Sequence, residues 1–445
     1  MEYNKEYFKG KTYNITTFGC QMNEHDSERI SYLLEEMGYT KTSDRDSADF
    51  ILFNTCLVRE NAELRLFGQV GSLKQLKRKH PDKILSVSGC MMQTTKARHI
   101  IEEKYPEVDI VFGTKNIDLL PELIRRHLEK NERVIDISTM YPKEDFVEYN
   151  NSNNFQAYVN IMRGCNNFCS YCIVPYSRGR EESRRPYAII EEVENLVNNG
   201  YKEITLLGQN VNSYGNTTDF SATFPQLLDR IAKIDGLSRL RFTTSHPKDL
   251  SDELIEVMKN NDNICNYFHL PLQSGSDKVL KDMNRHYDRQ KYMEKVAKLR
   301  KAIPNIAIST DIIVGYPTET EEDFKETLDL CDKVKFDSAY TFIYSKRPGT
   351  KAAKLETIDK DIIQDRFDRL LDHLYPVFFE KNKEYVGKTV KVLFESVSKN
   401  NDEFLSGRTD TFKLVHAKAD ESLIGKIVDV KITGNTSFTL EGELV

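Results

Sequence analysis

The feature that most constrains this chain is an alternation of short apolar runs with helix-like stretches, which begins near residue 14 and continues to about residue 375. A strand–helix–strand order at this spacing is typical of parallel sheets covered by helices. Cysteines stand at the ends of several apolar runs. The alternation therefore predicts an α/β fold. Because the carboxyl ends of parallel strands share one edge of a sheet, it also predicts that the functional site lies at that edge.

The alternation has two parts, separated by the polar segment 139–154, which ends in an Asn/Ser cluster typical of a linker. Strands of the first part are predicted at 14–20, 49–56, 84–90 and 109–114, with helices near 26–37, 60–79, 94–105 and 116–129. We predict a flavodoxin-like parallel α/β domain at residues 11–130.

The second part contains six strand–helix repeats. Its strands are predicted at 157–163, 203–210, 239–245, 267–273, 306–314 and 338–344, with helices near 187–199, 224–234, 250–260, 288–302 and 320–334. Six repeats suit a partial (β/α)6 barrel at residues 150–377. The active site of such a barrel lies at the carboxyl ends of its strands.

The last part of the chain has a different pattern. A helix near 361–384 is followed by short β-like runs with turn residues between them and no helical period. These runs are 388–398, 403–409, 412–418, 426–433 and 437–445. This pattern predicts a small all-β barrel at residues 378–445.

Composition excludes some classes of protein. The 445 residues suggest about three domains, and 63 basic against 69 acidic residues exclude a polycation. Local basic runs at 163–185, 281–301 and 74–83 still allow phosphate binding. No apolar run approaches the ~18 residues of a membrane span, and the N-terminus lacks the apolar region of a secretory signal. We expect a cytoplasmic protein with reduced thiols and no membrane contact.

Cys20, Cys56 and Cys90 each close a predicted strand, about one βα unit apart. Three loops from one sheet edge can converge on one point, so these cysteines are expected to lie close together. Gly19 and Gly89 precede two of them and allow close backbone approach. The pattern favours a metal or cluster site, and three unrelated buried thiols are the alternative.

Cys165, Cys169 and Cys172 form a C-x3-C-x2-C motif directly after the first strand of the second part. Thiolates this close repel one another unless a cation shares them. Three cysteines on a four-iron cluster leave one iron open to a small molecule, whereas a structural zinc, the alternative, usually needs a fourth ligand. Cys265 and Cys331 lack a partner spacing and are interpreted as packed thiols.

Four stretches resemble one known family. They are TTFGCQMNEHDSE (16–28), NTCLVRENAELRLFGQVG (54–71), SGCM (88–91) and IMRGCNNFCSYCIVPYSRGREESR (161–184). The C-x3-C-x2-C motif in the last of these stretches resembles that of the radical S-adenosylmethionine (SAM) enzymes. The C-terminal part of the chain resembles a TRAM domain, an RNA-binding module. Together the stretches resemble the MiaB-type tRNA methylthiotransferases. The Arg59–Glu60–Asn61 run favours that subgroup over the ribosomal-protein and threonylcarbamoyl-adenosine enzymes.

The resemblance implies two 4Fe–4S clusters. Cys165, Cys169 and Cys172 would hold the cluster that binds SAM and cleaves it to a 5′-deoxyadenosyl radical. Cys20, Cys56 and Cys90 would hold an auxiliary cluster that carries sulfur, which a second SAM methylates. The implied reaction converts N6-(dimethylallyl)adenosine at tRNA position 37 to its 2-methylthio derivative. An aromatic C2–H resists acid–base chemistry, and a radical cofactor avoids that limit.

Further residues are candidates for SAM contacts by the same resemblance. Gly208, Gln209 and Asn210 end the second barrel strand, where family enzymes contact the methionine part of SAM; an ordinary βα turn is the alternative. Ser245 and Gln273 end the third and fourth strands. Asp311 on the fifth strand is a candidate for a ribose hydroxyl or a cation, or is a paired carboxylate. Arg178 is a candidate for the SAM carboxylate or the substrate.

The implied partners are a tRNA anticodon stem-loop, an electron donor such as flavodoxin or ferredoxin, and a supplier of sulfur that repairs the auxiliary cluster. We expect a monomer. One alternative is a methylthiotransferase for threonylcarbamoyl-adenosine or for an aspartate of a ribosomal protein. An alternative of a different class is an RNA-binding scaffold that holds an iron–sulfur or zinc centre without catalysis.

Overall fold

The structure, a computed structural model, describes residues 4–57, 60–137, 153–218, 220, 222–399 and 401–445, without the side chains of residues 60–64. Arg59 and nearly all of the predicted linker 139–154 lie outside the described residues, as do the side chains of Glu60 and Asn61. The chain forms two compact units. One comprises residues 1–153, 158–166 and 173–188, and the other comprises 154–157, 167–172 and 189–445.

The first unit is built on a six-stranded parallel sheet. Its strands are β1 (Thr12–Thr17), β2 (Thr40–Lys41), β3 (Phe50–Thr55), β4 (Ile84–Gly89), β5 (Ile110–Phe112) and β6 (Val134–Asp136). Its helices are α1 (Lys5–Phe8), α2 (Gln21–Met37), α3 (Glu60–Ser72), α4 (Lys74–Lys79), α5 (Thr95–Lys104) and α6 (Leu120–Lys130). The strand order β2-β1-β3-β4-β5-β6 is the flavodoxin-like order, so that prediction is confirmed.

Strand β3 shows why this segment forms a central strand. All six of its residues are buried, as expected for a strand covered by helices on both faces. Phe50 and Leu52 belong to one core with residues of α2 and α6, whereas Ile51 and Phe53 belong to the opposite core with residues of α3 and α5. The period of two therefore divides one apolar run between two cores.

Three short elements follow. Strand β7 (Gln156–Asn160) begins in the second unit and continues in the first. The first unit also contains β8 (Met162–Arg163), helix α7 (Val174–Ser177) and β9 (Glu182–Ser183), and β8 pairs antiparallel with β9. This small ribbon was not predicted, because two-residue strands carry no measurable period.

The second unit contains the rest of the predicted barrel. Its strands are β10 (Glu203–Leu207), β11 (Arg239–Phe242), β12 (Tyr267–His269), β13 (Ala307–Val314) and β14 (Ser338–Ile343). Helix α8 (Pro186–Asn198) begins in the first unit and continues in the second. The other helices of the second unit are α9 (Phe224–Ala232), α10 (Asp252–Asn260), α11 (Asp277–Asp282), α12 (Arg289–Ala302) and α13 (Glu321–Val334). The orders β7-β10-β11 and β12-β13-β14 are joined by a bridge between Leu240 and Ile264. Among the described residues β7 and β14 do not pair, so the partial six-stranded barrel is confirmed.

The C-terminal part is the predicted small barrel. Helix α14 (Lys360–Lys383) leads into β15 (Thr389–Ser398), β16 (Asn401–Thr409), β17 (Leu414–Lys418), β18 (Ile427–Asn435) and β19 (Thr439–Leu444). The strands close in the order β15-β16-β17-β19-β18 around an apolar core that includes Val392, Phe394 and Leu405. Closure leaves no exposed sheet edge.

Candidate metal centre and cofactor site

Cys20, Cys56 and Cys90 lie at one edge of the first unit's sheet. Cys56 and Cys90 directly follow β3 and β4, and Cys20 is the N-cap residue of α2, after β1. Because β1, β3 and β4 are neighbours, the three loops converge as predicted. The gap between β1 and β3 is also where this strand order places ligands.

Two glycines allow the close approach. Gly19 has φ +127°, and a Cβ there would lie 2.4 Å from Cys56 Cβ and 2.8 Å from Cys56 Sγ. Gly89 has φ +106°, and a Cβ there would lie 2.2 Å from the Thr55 carbonyl oxygen. Any side chain at either position would push the cysteine loops apart.

The Arg178 guanidinium lies among these residues. Its Nε donates to Cys90 Sγ at 3.1 Å, and its Nη2 donates to Asn23 Oδ1 at 3.0 Å and to Asp26 Oδ2 at 2.9 Å. Arg178 and Asp26 are each 4% exposed. In the first unit, Arg178 therefore contacts Cys90, Asn23 and the buried Asp26 carboxylate. Arg163, Arg178 and Arg184 of the run 163–185 are buried, whereas Arg180 and Arg185 are exposed.

The thiols of this set differ in acidity. The hydrogen bond between Cys20 and Cys56 lowers the pKa of Cys20, and the Arg178 charge lowers it further. Burial raises the pKa of the Cys90 thiol to about 11, although Arg178 lies beside it. A coordinated metal deprotonates its thiol ligands, so metal binding at Cys90 would have to displace the proton that burial favours.

The chemistry of the three thiols suits a soft metal such as iron. No group of three or more His, Cys, Asp or Glu side chains in the described part of the chain is arranged to hold one metal ion. A cubane cluster spreads its ligands over separate irons and so needs sulfurs that are farther apart. The three cysteines provide soft sulfur ligands, and Arg178 donates a hydrogen bond to one of them, Cys90.

The second cysteine motif is shaped by an irregular loop. Phe168 adopts φ +46°, and the Cys172 amide donates to the Cys169 carbonyl oxygen at 2.9 Å. In the second unit, Arg285 Nη1 donates to Cys169 Sγ at 3.4 Å. Cys165 belongs to the first unit, where its amide donates to the Gly179 carbonyl oxygen at 3.1 Å.

Buried polar atoms without partners line the strand ends of the second unit. Among the described residues, Gln209 Oε1, Asn210 Oδ1, Asn212 Nδ2 and His246 Nε2 are buried without a hydrogen-bond partner. Asn210 Nδ2 donates to Asp249 Oδ2 at 2.7 Å, which fixes the amide. Because buried polar atoms without partners are costly, these atoms are candidates for contacts with a polar ligand.

Ser245 and Gln273 also lie at this edge. The Ser245 hydroxyl donates to Asn212 Oδ1 at 3.3 Å. Gln273 has φ +69°, and its backbone N–H donates to the backbone carbonyl oxygen of Asp311. Thr244 has φ +66° as well. Positive φ at non-glycine residues stores strain, which concentrates at functional sites.

Asp311 has a side-chain partner that the sequence did not suggest. His269 Nε2 lies 3.5 Å from Asp311 Oδ1, and His269 Nδ1 is 2.8 Å from the Ser309 hydroxyl. Asp311 is partly exposed and retains room for a second partner. The alternative of a paired carboxylate thus describes its position in this structure.

Sequence reasoning missed several site residues. A signal existed for Asn23 and Asp26, since both lie in the stretch 16–28 that carries the family resemblance, and the structure buries them in the first turns of α2. A polar helix that is buried needs polar partners. Arg285 and His269 had no such signal, because their partners are distant in sequence.

Three family models match successive parts of this chain. Residues 159–331 match the radical SAM superfamily, residues 12–113 match a family described as "Uncharacterized protein family UPF0004", and residues 383–445 match the TRAM domain. A solved structure of the radical SAM methyltransferase TsrM from Kitasatospora setae, with cobalamin and a [4Fe-4S] cluster bound, is similar with a TM-score of 0.58 and 13% identity, covering 77% of each chain. A structure of the cobalamin-dependent SAM radical enzyme OxsB is similar with a TM-score of 0.50 and 12% identity. The match covers 84% of this chain and 58% of the OxsB chain.

Curated relatives are much more similar. The tRNA-2-methylthio-N(6)-dimethylallyladenosine synthase of Finegoldia magna is 57% identical over 98% of this chain and 94% of its own length. A protein of the same name from Thermoanaerobacter sp. strain X514 is 53% identical over 98% of this chain and 94% of its own length. Another, from Clostridium botulinum strain Okra, is 52% identical over 96% of each chain.

The fold, the cysteine sets and these matches define a radical SAM enzyme, which uses SAM and [4Fe–4S] clusters. The chain belongs to the family of tRNA-2-methylthio-N(6)-dimethylallyladenosine synthases, which are methylthiotransferases. The resemblance noted from the sequence is therefore confirmed. No helix in the described ranges is both long and apolar enough to cross a bilayer.

Proposed function

We propose that this protein converts N6-(dimethylallyl)adenosine at tRNA position 37 to its 2-methylthio derivative, with two SAM molecules and sulfur carried on an auxiliary cluster. The observation that carries the proposal is the 57% identity to the Finegoldia magna synthase over 98% of the chain. Convergence of Cys20, Cys56 and Cys90 at one sheet edge supports it.

The six cysteines divide between two sites. Cys165, Cys169 and Cys172 hold the SAM-binding cluster, and Cys20, Cys56 and Cys90 hold the auxiliary one. When bound, the clusters and SAM supply the radical chemistry and the sulfur. Burial of Cys56, Cys90, Cys165 and Cys169 excludes water from the ligand sulfurs.

The SAM-binding edge consists of Gly208, Gln209, Asn210, Ser245, Gln273 and Asp311. The orphaned atoms of Gln209 and Asn210 accept from the SAM ammonium group, which is a strong donor. Burial lowers the pKa of His246, so its neutral ring adds no charge beside the cationic sulfonium. Asp311, held by His269, remains available for a ribose hydroxyl.

The tRNA partner is recognised through its anticodon stem-loop, whose unpaired bases can stack on aromatic side chains. Strand β14 exposes Tyr340 and Phe342, which are 47% and 39% exposed. Exposed Lys346, Lys351 and Lys354 follow the carboxyl end of this strand. Aromatic side chains next to basic ones suit a single-stranded RNA loop.

The remaining assignments follow from the chemistry. The reaction needs a low-potential donor such as flavodoxin or ferredoxin, and a supplier that restores the auxiliary sulfur. We propose a cytoplasmic monomer, with domain boundaries at 11–130, 150–377 and 378–445.

Anaerobic reconstitution tests the class of protein. The proposal expects about eight irons per chain and cleavage of SAM on reduction with dithionite. Zinc binding, or iron binding without SAM cleavage, would favour the scaffold alternative. The substrate is tested by analysis of tRNA nucleosides, which separates the dimethylallyl product from the threonylcarbamoyl one.

A further inference from the structure

Each cysteine set has a buried arginine that donates to a cysteine sulfur. Arg178 Nε lies 3.1 Å from Cys90 Sγ in the first unit, and Arg285 Nη1 lies 3.4 Å from Cys169 Sγ in the second. The two arginines are 4% and 5% exposed. A buried guanidinium stays charged, and leaving such a charge without an anion costs several kcal/mol. Both arginines therefore need negative charge nearby.

The two arginines differ in their other partners. Arg178 forms an ion pair with buried Asp26 at 2.9 Å. For Arg285, no carboxylate within the described ranges lies at ion-pair distance; its remaining donors meet the Tyr287 hydroxyl at 3.1 Å and the Pro271 carbonyl oxygen at 3.2 Å. Cys90 thus faces an arginine that a carboxylate neutralises, whereas Cys169 faces a full positive charge.

We propose that Arg178 and Arg285 are positioning residues that set the reduction potentials of the auxiliary and SAM-binding clusters, respectively. The proposal rests on the proposed function for the presence of both clusters. Hydrogen bonds to ligand sulfurs and nearby positive charge stabilise the reduced, more negative cluster and raise its potential. Reduction adds one electron from a low-potential one-electron donor, and no bond forms or breaks.

Arg285 is expected to affect the potential of its cluster more strongly than Arg178 does. Its uncompensated charge makes the SAM-binding cluster easier to reduce, which is the condition for SAM cleavage. For the Arg178–Asp26 pair, substitution of either partner should shift the potential of the auxiliary cluster, and the two shifts should have opposite signs. Loss of Arg178 leaves a buried negative charge beside the auxiliary cluster, and loss of the Asp26 charge leaves a buried positive one.

The test is a redox titration of the reconstituted full-length protein without tRNA, with dithionite and mediators, followed by electron paramagnetic resonance. Arg178→Gln should shift only the auxiliary signal to more negative potential, and Arg285→Gln only the SAM-binding signal. Asp26→Asn should shift the auxiliary signal the opposite way, a result that general destabilisation does not produce. A Cys20→Ala protein, which keeps only the SAM-binding cluster, assigns the signals.

Two comparisons complete the design. Arg178→Lys and Arg285→Lys, which keep the charge, should give smaller shifts than the Gln variants. Arg366→Gln removes a buried arginine that pairs with Glu319 at 3.0 Å, and should shift neither signal. Potentials that stay unchanged in both Gln variants, or shifts of both clusters together, would overturn the proposal. A wild-type protein with two responsive clusters but no tRNA product would contradict the proposed function alone.

Discussion

Glu203 and Arg241 form a buried ion pair across the neighbouring strands β10 and β11, with Glu203 Oε2 3.0 Å from Arg241 Nε. Arg239 lies 3.7 Å from the same oxygen. The outer nitrogens of the two arginines donate to four backbone carbonyls of the C-terminal barrel, those of Lys391, Arg408, Thr409 and Asp410. One carboxylate therefore lies beside both of the side chains that attach the small barrel to the larger one, and it balances one of their two positive charges.

Glu203→Gln should destabilise the protein, because it leaves two buried guanidiniums without their anion. Removing one partner of a buried pair costs about 3 kcal/mol or more. Glu256→Gln is the matched control, since Glu256 is 59% exposed and pairs with Lys259 on the helix surface; its loss should cost under about 1 kcal/mol. Urea unfolding of both variants makes the comparison, and equal midpoints would refute the anchoring role.

Cys20→Ala should abolish methylthio product while SAM cleavage continues. Its iron content should fall from about eight to about four per chain, because only the auxiliary cluster is lost. Cys331→Ala, which alters a thiol buried within α13, should retain both clusters. Iron analysis and product assays on the two proteins make the measurement. A Cys20→Ala enzyme with undiminished product would exclude the auxiliary role.

The sequence predicted the elements that carry periodic patterns. Strands β3 and β13 were placed within a residue or two, because long apolar runs bounded by turns leave little choice. Helix α11 was missed, since six residues carry too little period to detect. The positions of Cys20, Cys56 and Cys90 after neighbouring strands followed from topology, because parallel strands bring their carboxyl ends together.

The environment of the cysteines could not be predicted in the same way. Arg178 and Asp26 are 152 residues apart in the chain, and only the folded structure pairs them. The family resemblance made Arg178 a candidate for the SAM carboxylate or the substrate but could not say which residues of the folded chain the guanidinium meets. Contacts of this kind depend on packing between elements rather than on any local signal.

Gln209→Ala should weaken SAM binding about tenfold, the cost of one hydrogen bond to a charged donor. The buried Gln209 Oε1 is without a partner in the described structure, so a bound ligand is its expected donor. Gln290→Ala is a suitable control, because Gln290 is exposed and bonds Glu294 on its own helix. Equilibrium dialysis of SAM against the reconstituted proteins would decide, and equal affinities would remove Gln209 from the site.

Phe342→Ala should weaken tRNA binding about tenfold, because stacking of one base on an aromatic ring is worth roughly 1–3 kcal/mol. Ile362→Ala removes an equally exposed apolar side chain from α14, where no RNA contact is proposed. Filter binding of an anticodon stem-loop at fixed salt compares the two. A larger loss for Ile362→Ala than for Phe342→Ala would place the RNA surface elsewhere.

The central claim is tested most directly by mass spectrometry of tRNA nucleosides from a strain that lacks this gene and from the same strain with the gene restored. The account predicts that the 2-methylthio derivative of N6-(dimethylallyl)adenosine disappears, that its unmethylthiolated precursor accumulates, and that restoration reverses both changes. Persistence of that nucleoside while a different methylthio product vanishes would contradict the account.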